Sequence, residues 1–272
     1  MKSWQATTLI AVCIPLLTAC SNPIGKVTVN HSPTTSPVAS TAVLLKRTFK
    51  EGQVENYQQI VKTKTEGLPG KAGETKVTSD ISRTYGQIDA KGVADVVMKT
   101  SNMRVFGAGD TEGKLQKDIV MNAKMGPHGM MQFAVDKNDK ATQGMTDQAM
   151  PDGARLPDKP VNPGDTWTTT IPTMDLLPAG STLKETFVGE EMFQGQPAWH
   201  IHYEGQFELS EKAGNGSKMK GSMDMIGEVF LDKTDCSVLT TASTSTTKIS
   251  IPDGGKTTTL NQETVTALVR VK

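Results

Sequence analysis

The chain lacks an excess of either charge: 29 Lys and Arg offset 29 Asp and Glu over 272 residues. With no basic field to steer a polyanion or coat an anionic bilayer, nucleic acid is excluded as a partner class. Cysteine is scarce, at three, which is too few for a disulfide scaffold. Aromatic residues are only 5% of the chain, so a core must be built mainly from aliphatic side chains and methionine. No apolar run reaches the roughly 20 residues that a transmembrane helix needs. Helical periodicity is scarce as well, which argues against a helical bundle. What remains is a chain long enough to bury a real core, in one or two domains.

The first twenty residues are informative. Met1-Lys2 is a short basic start, and Ala6 to Leu17 is an apolar run of a length that suits the h-region of a secretory signal. It ends in Leu17-Thr18-Ala19-Cys20, which resembles the lipobox of bacterial lipoprotein signal peptides. The resemblance implies removal of residues 1–19, a diacylglyceryl group on Cys20 and acylation of the new N-terminus. Two or more chains hold a protein stably on a membrane, whereas one does so only marginally. Ser21 at the next position implies, in the Gram-negative sorting pattern, an outer-membrane destination. Residues 20–41 are rich in Ser, Thr and Pro, with Pro23, Pro33 and Pro37 extending them, and read as a tether.

From about Ala42 the chain reads as β. Threonine is abundant, and apolar residues alternate rather than recur at helical spacing. Strands are expected at 54–65, 76–85, 92–106, 115–125, 129–135, 165–171, 182–190, 197–209, 218–231, 238–251 and 256–271. In the second of these Val77, Ser79, Ile81, Arg83 and Tyr85 share a face. Short polar turns separate the strands, so antiparallel pairing follows. Lys140 to Met150 and Met174 to Leu177 are the only helix candidates. The fold class is therefore mainly β: antiparallel sheets forming a sandwich or an open curved barrel, with little helix. A proline-rich connector from Pro151 to Gly164 divides the domain 42–272 near its middle. Gly86 and Gly92 in one half, and Gly189 and Gly195 in the other, bracket similar hairpins. Two similar halves, 42–150 and 160–272, are one reading of this; ordinary glycine-bounded hairpins are the other.

The second half also carries a pattern. Pro160-Val161-Asn162-Pro163-Gly164-Asp165-Thr166-Trp167 is followed by Thr186-Phe187-Val188-Gly189, Gly195-Gln196-Pro197-Ala198-Trp199 and Gly227-Glu228-Val229-Phe230-Leu231-Asp232. Together these resemble an uncharacterised family of mainly-β bacterial envelope lipoproteins. That family's last turn usually carries a glycine after the threonine, where this chain has Asp235-Cys236 after Thr234. The resemblance implies class and location, and no activity.

Few constellations carry chemistry. His200 and His202 share a strand face and could form half of a zinc or copper site, although two polar side chains on a solvent-facing sheet surface are the plainer reading. Met125, Met130 and Met131 surround His128, and thioethers suit Cu(I), yet methionine also fills irregular cores and lines apolar pockets. Asp136 to Lys140 begins like a calcium loop but fails at its third ligand and its glycine. Trp167 and Trp199 read as core anchors. Cys236 is the last cysteine once Cys13 leaves with the signal and Cys20 is lipidated. No nucleophile elbow or paired carboxylate set emerges, so no enzyme activity and no cofactor are expected. The expectation is a lipid-anchored envelope protein that binds an apolar ligand or lipid on a concave face. Presentation of a β surface to another envelope component is the alternative, and copper binding through Met and His ranks behind both.

Overall fold

A computed structural model describes residues 42–67, 73–134, 150–171, 177, 180–212, 218–253 and 256–271. Among these residues there is no helix, and all strands belong to one antiparallel sheet. In the first half the strands are β1 (Val54–Glu66), β2 (Gly73–Ile88), β3 (Ala94–Phe106), β4 (Lys114–Leu115), β5 (Ile119–Met125), β6 (Met130–Phe133) and β7 (Met150–Pro151). The second half contributes β8 (Thr166–Thr170), β9 (Thr182–Phe193), β10 (Gln196–Lys212), β11 (Lys218–Asp232), β12 (Val238–Asp253) and β13 (Lys256–Val271). The spatial order is β7-β6-β5-β3-β2-β1-β13-β12-β11-β10-β9-β8, with β4 paired to β3 beside that path. Each half is thus a meander, and the β1–β13 ladder joins them over eleven residue pairs, from Asn56↔Val271 to Glu66↔Asn261.

Alternation decides which face is buried. Tyr57, Ile81, Tyr85, Val96, Met98, Met125, Phe133, Leu183, Phe187, Ile201, Tyr203, Phe207, Met223, Met225 and Val229 all lie in one core cluster, although they come from both ends of the sheet. A single sheet can pack both of its ends into one core only by curling, which gives the open curved form expected. The end strands β7 and β8 do not pair with each other among the described residues, so the curl is not closed as a barrel.

Glycines allow the tight side of the curl. On β11 Gly227 pairs with Tyr203 of β10. A Cβ there would sit 2.4 Å from the Tyr203 ring and 2.6 Å from the Ala242 carbonyl oxygen, so only glycine lets the ring lie across the neighbouring strand. Gly227→Ala is expected to cost ~1–3 kcal/mol by overpacking, measured by denaturant unfolding. An unchanged midpoint would show that the ring is not seated there.

The strand expectations correspond closely to the elements seen, and the departures are local. The stretch 115–125 is interrupted, because β4 ends at Leu115 and β5 starts only at Ile119. Of the helix candidates, Met150 lies in strand β7 and Leu177 is a buried bend residue; the rest of both lies outside the described residues. The 194–195 turn is a two-residue hairpin, with Gln194 (φ 49) and Gly195 (φ 82) both left-handed between the paired Phe193 and Gln196, the type I′ geometry that suits twisted strands. At the Thr234-Asp235-Cys236 turn, Cys236 takes φ 53, a left-handed conformation that glycine adopts more readily.

Candidate functional site

The two halves repeat a hydrogen-bond pattern. Gly52 (φ 77) donates its N–H to the Tyr85 carbonyl at 2.8 Å, and Tyr85 returns a bond to Gln53 at 2.9 Å. Correspondingly, Gly164 (φ 93) donates to Phe187 at 2.7 Å and Phe187 returns a bond to Asp165 at 3.0 Å. A bulge follows each aromatic residue, at Tyr85/Ile88 in one half and opposite Gly189 in the other. So β1 corresponds to β8, and β2 to β9. Two positions before each aromatic residue stands a buried ionisable side chain, Arg83 and Glu185. Both reach the connector between the halves.

The connector runs along the seam between the sheet's ends. Asp152 donates its N–H to the Gly129 carbonyl at 2.7 Å, and Leu156 donates to His128 at 2.8 Å, which fixes the connector to the β6 side. From the other side, Trp167 Nε1 donates to the Arg155 carbonyl at 2.7 Å. Glu185 clips the two together: its Oε1 accepts from the Arg155 N–H at 2.8 Å and its Oε2 from the Thr169 hydroxyl. Beside this bracket lies an open cleft of about 290 Å³ lined by Gly126, Pro127, His128, Met130, Arg155, Thr169 and Thr170. Its lining mixes polar side chains (His128, Arg155, Thr169 and Thr170) with Pro127 and Met130. Burial raises the Glu185 carboxyl to about 7, against the bonds from Thr169 and Arg155 that favour its charge.

At the end of the sheet where β1 begins, a strap before that strand inserts Arg47 into the interior. The guanidinium is 2% exposed and donates to Asp152 Oδ2 at 2.6 Å, Glu55 Oε2 at 2.7 Å and the Tyr85 hydroxyl at 2.7 Å. Arg83 adds two bonds of 2.7 Å to the two oxygens of Asp152. Tyr57 and Tyr85 donate their hydroxyls to Glu55 Oε2 at 2.7 and 2.8 Å. Two guanidinium groups thus meet two carboxylates. Burial works to raise the Asp152 carboxyl, and the Arg83 and Arg47 charges outweigh it, so its pKa lies below the usual value. The strap is pinned by its backbone too, through Val43 paired to Val161, Arg47 N–H to the Pro127 carbonyl and Thr48 N–H to the Asp235 carbonyl.

The residues singled out in the sequence fall in three places. His200 and His202 do share the outer face, and both point at one carboxylate: His200 Nε2 lies 2.7 Å from Glu228 Oε2 and His202 Nδ1 2.8 Å from Oε1. His200 is not a solvent-facing side chain, however. It is 5% exposed, stacked 4.3 Å from the Phe230 ring centroid, with Glu191 Oε2 at 3.2 Å from Nδ1. Burial acts to raise the Glu228 carboxyl and the two imidazole bonds override it, leaving it lowered. Among the described residues no group of three or more His, Cys, Asp and Glu is disposed to hold a metal ion.

The Met cluster is divided by the sheet. Met125 and Met131 are a cross-strand pair in the core, whereas Met130 and His128 line the seam cleft. Trp167 and Trp199 pack against the core, Trp199 edge-on to Phe187 at 5.8 Å. Cys236 is a free, buried thiol. The segment 136–140 and Cys20 lie outside the described residues.

No family model matches the chain, and no curated protein matches it. Among solved structures, lipovitellin, studied for its lipid–protein interactions, is 8% identical with a TM-score of 0.48, over 82% of this chain. The chain spans 25% of lipovitellin's length. A Bacteroides fragilis protein with a YmcC-like fold, inferred to be exported, is 14% identical with a TM-score of 0.31, over 85% of this chain and 100% of its own. Both likenesses lie below the level from which function carries over.

Sequence reasoning missed Arg47, Asp152 and Glu185. For Glu185 a signal existed: Leu183, Glu185 and Phe187 alternate on one face, which puts a carboxylate among core residues. For Arg47 and Asp152 there was none, since they sit in non-strand segments and meet 105 residues apart.

Proposed function

We propose that the protein is a lipid-anchored envelope lipoprotein that acts by binding rather than by catalysis, presenting the seam of its curled sheet to another envelope component. The seam cleft carries this reading. Among the described residues it is where the ladder of the sheet is interrupted, and it is open to solvent. The concave face, where an acyl chain would lie, is occupied by the protein's own side chains, Tyr57, Tyr85, Phe187, Met125 and Met225 among them. At about 290 Å³ the cleft stands at the lower edge of the range for small-molecule sites, ~300–1,000 Å³. The lipobox-like Leu17 to Cys20 and the Ser/Thr/Pro-rich stretch after it support the anchor and tether.

An apolar ligand is the second reading, favoured by Pro127 and Met130 in the cleft wall. Native mass spectrometry of the full chain carrying Cys20→Ser, purified without detergent, separates the two. The bare chain mass is expected; a stoichiometric lipid adduct would replace the interaction reading with a carrier. The same variant tests the anchor: labelled palmitate is expected to be incorporated by the wild-type chain and not by Cys20→Ser, and equal labelling of the two would overturn lipidation at Cys20.

A further inference from the structure

We infer that the free edge of β8 is a strand acceptor, and that the partner presented at the seam is an extended peptide segment that pairs with Thr168 and Thr170 through its main chain. The inference rests on the interaction reading above and supplies its partner class. It follows from the repeat. β1 and β8 occupy corresponding places, with Gly52-Gln53 matching Gly164-Asp165 in their bonds to the next strand. On β1, Gln53 turns its carbonyl toward β2, so by strand alternation the main chains of Asn56 and Gln58 face the other way. There they meet β13, at Val271 and Val269. The same count from Asp165 places Thr168 and Thr170 in the positions of Asn56 and Gln58.

At β8 that outward side holds no strand among the described residues. Asp165 accepts from Phe187, and Ile171 donates to the Ser181 carbonyl at 2.8 Å, so the odd-numbered residues serve β9. Among the described residues β8 pairs only with β9, and no backbone partner faces Thr168 or Thr170. Thr170 instead lines the cleft, together with Met130 and Pro127 from the opposite wall. One junction between the halves is therefore filled by a strand of the chain, and the equivalent junction holds no strand among the described residues. The edge also lacks two of the usual deterrents to strand addition: Thr166, Trp167, Thr168, Thr169 and Thr170 include no charge and no proline. Recognition would come from main-chain bonds, with side chains adding selectivity.

The probe follows from the same correspondence. A fluorescent synthetic peptide with the sequence of Leu260 to Val271, the segment that fills the equivalent junction, is titrated against the full-length protein and read by anisotropy. Saturable binding is expected, weakened at least ~tenfold by Thr168→Pro and unchanged by Thr168→Val. Proline at an edge position removes only the outward N–H and spares the inner ladder, and an unchanged melting temperature verifies that. N-methylation of alternate peptide residues gives a second readout without altering the protein, and should abolish binding on one set of alternate residues only. No saturation up to ~1 mM overturns the inference, as does binding indifferent to Thr168→Pro, which would mean exchange into the native β13 place. Failure here leaves the mass measurement of the interaction reading standing, and a lipid adduct there would not produce proline-sensitive peptide binding.

Discussion

Asp152→Asn is expected to destabilise the protein by ~3–5 kcal/mol, the range for removing one partner from a buried ion pair. Asp152 is 7% exposed and accepts three guanidinium bonds, one from Arg47 and two from Arg83. An asparagine of the same shape offers one oxygen and turns an NH₂ donor toward cationic donors. It also leaves two buried cations with Glu55 as the remaining carboxylate of the cluster. The connector would suffer first, because Asp152 sits at its start, bonded through its own N–H to Gly129.

A second substitution separates charge from shape. Arg83→Met added to Asp152→Asn removes one cation, leaving Arg47 paired with Glu55 at 2.7 Å. The double variant should therefore be more stable than Asp152→Asn alone, a positive coupling that a cycle of denaturant melts can measure. If Asp152→Asn costs less than ~1 kcal/mol, the network is not the clasp described. The pH dependence has a definite sign. A carboxylate whose folded pKa is depressed contributes stability that is present above its unfolded value and lost as pH falls through the folded one. For Asp152, lowered from 3.8, that loss lies below about pH 4 and should disappear from the pH profile of the asparagine variant.

The strands were legible because their signal is local. A half-buried strand alternates, β-branched residues favour the pleated surface, and turns carry their own residues. Even the inward place of Arg83 could be read, since it follows Val77, Ser79 and Ile81 on one face. Its burial could not, because a buried guanidinium requires a partner, and Asp152 lies 69 residues away in a connector without periodicity. The methionines show the converse. Met130 and Met131 are adjacent in sequence and near His128, but adjacent strand residues face opposite ways, so proximity along the chain could not make them one site. His200 and His202 were correctly placed on one face, yet what they meet depends on the β10–β11 register, in which His202 stands opposite Glu228. Glycine spacing alone did not reveal the matching bonds of Gly52 to Tyr85 and Gly164 to Phe187, because they depend on how each strand pairs with the next.

Glu185→Gln should have the opposite effect to the asparagine change at Asp152. Glu185 is fully buried, and its carboxyl is raised from 4.5 to about 7 because burial outweighs the hydrogen bonds it accepts. A raised carboxyl favours the folded state while protonated, so its contribution is present below the unfolded value and lost as pH rises through about 7. At about 1.4 kcal/mol per pH unit, the ionised group weakens the folded state by on the order of 3 kcal/mol above neutrality, set against Gln as the neutral isostere. Glutamine can still accept from the Arg155 N–H, and its NH₂ can donate to the Thr169 hydroxyl oxygen, so the bracket across the seam keeps both contacts. Glu185→Gln is therefore expected to gain roughly 2–3 kcal/mol at pH 8 and almost nothing near pH 4.5, flattening the profile between them. Thermal melts of both proteins across that range measure it. Equal stability at pH 8 would mean that water reaches the carboxylate, and the seam would then be looser than its hydrogen bonds imply.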